Sequence, residues 1–208
     1  MLKRFIFILV LLSLLAPYCN AQQVENHLIK GNELNRKNKH DDAIAEYKKA
    51  LVRNPKDINA HMIIALTYAK MGKFDEALSY AEKTVKLDPS HNSHYHLGLI
   101  LASKGDSQKA IQAFDKALEL NKKSYMAEFQ KATVYNSVKD YAKAEKAYEK
   151  AVELNPNFDD ARIALVAVNY TYGDKSQAAK HIKKLRQMKR NSTADALEQW
   201  IAKKNKTA

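Results

Sequence analysis

His91, His94 and His96 fall within six residues, the densest cluster of metal-ligating side chains in the sequence. Imidazoles suit zinc, but a closed zinc site needs about four donors converging on one point. On a helix His91 and His94 share a face, whereas His96 lies about 140° from His91. The single cysteine, Cys19, supplies no thiolate pair. Moreover His27, His61 and His94 recur at spacings of 34 and 33 residues, which ties them to a structural period rather than to a site. They read as packing or partly exposed groups, and neither a metal nor a cofactor is expected. The chain also lacks a Gly-rich phosphate loop, a GxSxG nucleophile turn and an HExxH pair. The acid pairs Asp41-Asp42 and Asp159-Asp160 stand at expected helix starts, where the helix dipole accounts for them. Asn169-Tyr170-Thr171, Asn191-Ser192-Thr193 and Asn205-Lys206-Thr207 spell glycosylation acceptors that have meaning only in a eukaryotic secretory host, and no site is assigned to them. A protein without enzymatic activity is expected.

Charge is the second chemical feature. Lys+Arg number 35 against 23 Asp+Glu, a net charge of +12. Ten of the basic residues and only two acids lie from Lys175 to Ala208. Lys180, Lys183, Lys184, Arg186, Lys189 and Arg190 therefore form a basic patch along one segment. Such a run usually faces water. The functional alternative is attraction to an anionic lipid, a surface polymer or an acidic partner. Nucleic acid would satisfy the same charge, but the N-terminus weighs against it. Lys3 and Arg4 precede an apolar run from Phe5 to Leu15, broken only by Ser13, and Cys19-Asn20-Ala21 forms a small-residue cleavage site. Residues 1–21 read as a secretory signal cleaved after Ala21, with a run shorter than the roughly 20 apolar residues that span a bilayer. Lipidation at Cys19 and an uncleaved anchor are the alternatives, and Pro17 and Tyr18 count against the first. The expected compartment is periplasmic or extracellular, and cleavage would remove the only thiol.

The elements that position these groups follow from composition and period. Hydrophobic residues make up 46% of the chain, too many for a disordered one. Five Gly and four Pro are too few for a turn-rich β fold, and the prevailing Ala, Lys, Leu and Glu favour helix. Ala43, Ala77, Ala110, Ala144 and Ala178 are spaced by 34, 33, 34 and 34 residues, and Ala50, Thr84, Ala117, Ala151 and Leu185 repeat that register seven residues later. Asn38, Gly72, Gly105, Lys139 and Gly173 precede the first series by five residues, where a tight turn is expected. Pro55, Pro89 and Pro156 close three of the units. In the unit from Ile58 to Ser90, Ile64, Ala65 and Tyr68 share one helical face and Ala77, Ala81, Thr84 and Val85 line the next helix. Gly72 permits a left-handed turn between them. The small residues allow the two helices to approach closely.

These residues resemble the tetratricopeptide repeat, a helical hairpin of about 34 residues stacked in a right-handed solenoid. Gly72-Lys73-Phe74-Asp75-Glu76-Ala77, Ala117-Leu118-Glu119-Leu120 and Ala151-Val152-Glu153-Leu154-Asn155-Pro156 carry the likeness, which covers roughly 24–190. The expected fold is an all-α, right-handed α-solenoid in one domain. It holds five units, at about 24–57, 58–90, 91–124, 125–158 and 159–191. A capping helix over 192–204, opened by Ser192 and Asp195 as a capping box, covers the last apolar face with Leu197, Trp200 and Ile201, and 205–208 is a tail. Lys122 in place of a closing proline predicts a looser junction after the third unit. Lys30 and Lys131 replace apolar residues that face a neighbouring helix. Lys175 and Gln177 weaken the fifth unit.

The resemblance also implies a concave groove lined by the first helix of each unit, where a peptide or partner protein binds. Carried onto this chain, it presents Leu28 and Asn32, then Met62 and Leu66, then Tyr95, His96 and Leu99. Phe129, Thr133 and Asn136 follow, then Ile163, Ala167 and Tyr170. The competing reading is that Tyr95, Phe129 and Tyr170 fill gaps between helices or are covered by a second copy of the chain. One subgroup of the family grips acidic chaperone tails with a Lys/Asn/Arg clamp; the matching positions here are Leu28, Asn32, Ile63, Asn92 and His96, of which only Asn32 conforms. The expected function is an adaptor for cell-envelope or secreted complexes. Association with an anionic surface through the basic segment is the alternative.

Overall fold

The structure, a computed structural model, describes residues 21–207; the segment expected to act as an export signal lies outside them except for Ala21. Among the described residues there are eleven helices and no strand. They are α1 over 21–36, α2 His40–Arg53, α3 Ile58–Lys70, α4 Phe74–Leu87, α5 His91–Lys104, α6 Ser107–Leu120, α7 Tyr125–Ser137, α8 Tyr141–Leu154, α9 Asp159–Tyr172, α10 Lys175–Gln187 and α11 Asn191–Thr207. The chain expected to be one continuous domain divides into two compact units, one ending at Lys104 and the other beginning at Gly105. Within each unit the hairpins pack mainly against their neighbours, as in other repeat architectures.

Both units are built on the same close helix contact. Ala43, Ala77, Ala110, Ala144 and Ala178 are at most 1% exposed, and Ala50, Thr84, Ala117, Ala151 and Leu185 are fully buried. In the first unit, Ala43, Ile44, Tyr47 and Ile64 form one cluster and Ala65, Ala77, Ala81 and Ile100 the next. The second unit packs Ala132, Ala144, Tyr148, Ala151, Ala161 and Leu165 together, then Val166, Ala178, Ile182, Leu185 and Ala194. Each buried Leu or Ile contributes about 1.5–3 kcal/mol, while the alanines contribute mainly by letting the backbones come near. Gly31 shows how near, because a Cβ there would lie 2.3 Å from Cε1 of the Tyr47 ring.

The turns fix the register of these contacts. Asn38, Gly72, Gly105 and Lys139 adopt φ of 58°, 73°, 91° and 64°, the left-handed conformation that ends a first helix. Gly173, expected in the same role, has φ −120° instead. Its glycine serves a close approach, since a Cβ would stand 3.1 Å from Oδ1 of the buried Asn169. Three of the helices that follow, α6, α8 and α10, are opened by carboxylates, with Asp106, Asp140 and Asp174 accepting from the N–H of Lys109, Lys143 and Ser176, whereas Lys39 and Lys73 before α2 and α4 provide no side-chain cap.

The junctions between hairpins are equally regular. Asn54, Asn121 and Asn155 end their helices in extended conformation and turn the side-chain oxygen onto the N–H two residues on. The looser junction expected at Lys122 does not occur: Asn121 has φ −141° and ψ 90°, against −135° and 92° at Asn155, which precedes a proline. The asparagine closes the turn with or without proline. The C-terminus also differs from expectation. The last helix starts at Asn191 and runs to Thr207, so 205–207 are helical rather than a tail. Asp195 does not complete a capping box but pairs with Arg186 at 2.8 Å. Asn205 is held by the Tyr170 hydroxyl, which anchors the last turn.

The two misplaced lysines each meet an acid on a helix of the same unit. Lys131 reaches Asp115 at 3.2 Å and Glu128 at 3.3 Å; burial opposes its charge, but the two carboxylates outweigh it and raise its pKa. Lys30 reaches Glu46, which also binds Lys49 and His27, all within 2.9 Å. Those hydrogen bonds, Lys49 first, hold the Glu46 carboxylate at a pKa of about 2 against 4.5 for an unperturbed group.

Two outcomes are expected. Because the Glu46 pKa is depressed on folding, its stabilisation is complete above about pH 4.5 and disappears as the pH falls towards 2. Urea unfolding across that window should show Glu46→Gln with a flatter pH dependence than the wild type; identical slopes would refute the assignment. Lys139→Gly should raise stability by about 0.5–1 kcal/mol, because glycine occupies a left-handed site without a Cβ clash. A lower thermal midpoint would contradict this account of the turn.

Candidate partner-binding surface

The residues expected to line a groove lie on the first helices of their hairpins, and none of them is fully buried. In the first unit α3 carries Met62 and Leu66, and Leu66 is 37% exposed. On α5, Tyr95 stacks on His91 with centroids 6.1 Å apart and meets His96 edge-on at 5.4 Å. Leu99 follows, half-buried. Burial, then the nearby His91, lowers the His96 pKa, and its buried Nδ1 has no hydrogen-bond partner. Asn32 uses its side-chain oxygen to accept the Tyr47 hydroxyl at 2.9 Å.

In the second unit the gap-filling reading applies most clearly to Phe129. On α7 its ring lies 4.9 Å from Phe158 and 5.5 Å from Tyr148, within the helix-packing cluster. Thr133 is exposed and accepts from the Tyr148 hydroxyl at 3.3 Å, while Asn136 and, on α9, Ile163 are half-buried. Tyr170 meets Trp200 edge-on at 5.5 Å, so the tryptophan joins α11 to α9.

The histidine positions resolve into structural tasks. His61 Nε2 donates to the Pro55 carbonyl at 2.9 Å, and Arg162, at the same register in the fifth hairpin, donates to the Pro156 carbonyl at 2.8 Å. His27 serves Glu46. Among the described residues no group of three His, Cys, Asp or Glu side chains is placed to hold a metal ion. Asn169, the first residue of one glycosylation triplet, is fully buried and closed to modification in the folded chain.

The basic patch divides into two kinds of cation. Arg186 bonds both Asp195 and Glu198 of α11 at 2.8 Å, and Arg190 bonds Asp159 of α9 at 2.8 Å. These arginines fasten helices. Lys180, Lys183, Lys184 and Lys189 are exposed, and none has a carboxylate within ion-pair distance among the described residues. The Asp174 pKa is lowered by hydrogen bonds from Ser176 and, after them, by the nearby Lys180 charge. One further arrangement was not legible in the sequence. Tyr170, expected in the groove, and Lys183 and Arg186, expected in the basic patch, line a single pocket of about 370 Å³ between α9, α10 and α11, floored by Ile182 and Ile201. The available signal was the spacing of Lys175, Ala179 and Lys183, four residues apart along one face of α10.

Comparison with known proteins agrees with this architecture. Models of the tetratricopeptide repeat match residues 31–72, 64–125 and 125–158. Hsp70-Hsp90 organizing protein 3 of Arabidopsis thaliana is 34% identical over 102 residues, which is 49% of this chain and 17% of that protein. The chain therefore spans less than a fifth of that relative's length. The crystal structure of MamA superposes with a TM-score of 0.70 at 28% identity, covering 83% of this chain and 95% of that one. YrrB, a TPR protein with an unusual peptide-binding site, gives a TM-score of 0.64 at 20% identity, covering 88% and 96%, a likeness of fold alone.

Phe129→Ala should lower stability by about 2 kcal/mol, because it empties the space between Tyr148 and Phe158. Leu66→Ala should stay within about 0.5 kcal/mol. Equal urea midpoints for the two variants would return Phe129 to the list of free surface residues.

Proposed function

The chain belongs to the tetratricopeptide-repeat family, whose members mediate protein–protein interaction, and we propose that it is a non-enzymatic adaptor exported to a periplasmic or extracellular compartment. There it holds a protein or peptide segment during assembly of cell-envelope or secreted complexes. The observation that carries the reading is the incomplete burial of Leu66, Tyr95 and Leu99 on successive first helices. Apolar and aromatic surface left in contact with water favours association, and aromatic side chains tend to dominate binding energy. Lys3, Arg4 and the apolar run that follows support export.

The organising-protein relative is named for Hsp70 and Hsp90, but this chain is not assigned those ligands. Leu28, Ile63, Asn92 and His96 stand where the family's tail-binding clamp has other residues, and Asn32 already serves Tyr47. A second reading rests on the unpaired lysines of α10, which suit an anionic lipid or polymer.

Crosslinked affinity capture from the native envelope fraction separates the two. The wild type should retain a partner that Leu66→Ala/Tyr95→Ala loses by at least about tenfold, with helical signal unchanged. Equal capture by both chains, released by salt, would transfer the function to α10. The mass of the chain recovered from that fraction reads whether residues 1–21 have been removed; an intact N-terminus would refute cleavage after Ala21.

A further inference from the structure

The pocket between α9, α10 and α11 combines chemistry that neither the groove nor the basic patch has alone. Its floor is apolar, made by Ile182 and Ile201 with the Tyr170 ring at one side. Lys175 stands over that ring with its ammonium 5.0 Å from the centroid, and Lys183 stands two turns further along α10. Neither lysine has a carboxylate within ion-pair distance among the described residues, whereas Arg186 at the far end of the same wall is already doubly paired. Ala179, between the two lysines, is exposed. The volume of about 370 Å³ lies at the small end of ligand sites and suits one or two side chains.

We infer that this pocket is a binding site for an acidic peptide segment, in which an aliphatic side chain seats on Ile182 and Ile201 while a neighbouring carboxylate bridges Lys175 and Lys183. The protein itself presents one instance of the contact. Glu198, a wall residue of the same pocket, reaches Arg186 from α11 at 2.8 Å. A ligand carboxylate would repeat that pairing elsewhere along α10, where the lysines have no carboxylate within ion-pair distance among the described residues. Charge complementarity favours such a ligand, because ten basic residues and two acids lie from Lys175 to the end of the chain. A side-chain carboxylate and a peptide C-terminus offer the same chemistry. An acyl chain is a poorer occupant, because the floor is short and the exposed Ala179 leaves the wall open to water.

The inference rests on the reading that the chain holds peptide segments, and names a second place where it does so. Its test is fluorescence anisotropy of the purified chain with a fluorescein-labelled peptide of alternating Glu and Leu. The free-acid and C-terminally amidated forms separate the two carboxylate sources, and a Lys-Leu peptide controls for charge. The acidic probe should bind the wild type and weaken with salt, while the Lys-Leu probe should not bind. Lys175→Glu/Lys183→Glu should lower its affinity by at least about tenfold. Ala179→Trp should do the same by filling the pocket from an exposed position, with an unchanged thermal midpoint in both variants. Leu66→Ala/Tyr95→Ala should bind the probe as the wild type does.

Failure of every form of the chain to bind the acidic probe would overturn the inference. So would binding that survives both pocket variants but is lost in Leu66→Ala/Tyr95→Ala, an outcome that leaves the groove reading standing. Lysine-dependent binding to phosphatidylglycerol vesicles, with none to the peptide, would overturn it in favour of a membrane surface. Capture of an envelope partner that depends on Leu66 and Tyr95 is read separately, so either reading can fail without the other.

Discussion

The structure depends on how closely the two helices of each hairpin can approach. That distance is set by small side chains at one register, Ala43, Ala77, Ala110, Ala144 and Ala178, with a second set seven residues on. A larger side chain at the first set would push the backbones apart, and Ile64, Phe114, Tyr148 and Leu165 would lose their packing. Gly31 is the extreme case, with the Tyr47 ring occupying the space of the missing Cβ. Because every hairpin meets this constraint separately, the register must be restored at each turn. The left-handed residues and asparagine junctions do that.

Polar groups drawn into these contacts are mostly answered by short-range partners. Thr84 donates to the Tyr80 carbonyl, His61 and Arg162 fasten proline carbonyls, and Glu46 collects Lys30, Lys49 and His27. Single buried atoms of His61, His96, Asp159 and Arg162 lack a partner, and Asn169 is the extreme case. Both polar atoms of its fully buried amide lack a partner, and it lies in the hairpin whose turn departs from the left-handed conformation at Gly173. The fifth hairpin therefore departs from the others in backbone as well as in sequence, and beside it lies the pocket that joins an aromatic residue to unpaired lysines.

The same residue types divide between architecture and surface. Phe129 is drawn into packing, whereas Leu66 remains exposed. Arg186 and Arg190 are spent on ion pairs while the lysines among them are not. An arginine between two helices can hold carboxylates with a planar fork, whereas a lysine on an outer face remains hydrated and available.

Periodicity alone determined the helical hairpins, their small-residue contacts and the places of most turns, because the spacing of Ala, Gly and Asn acts locally and repeats. The resemblance to the repeat family placed the candidate surface on the first helices. What it could not decide was which of those side chains would be taken up by a neighbour. Lys30 and Lys131 looked like departures until Glu46 and Asp115 stood beside them. Lys122 looked like a weak junction until Asn121 closed it, and 205–207 looked like a tail until Tyr170 held Asn205. Tertiary structure alone set these pairings, and alone brought Tyr170, Lys183 and Arg186 to one pocket. A side chain's spacing along the chain fixes its helical face, but only the packing of helices against one another fixes what that face meets.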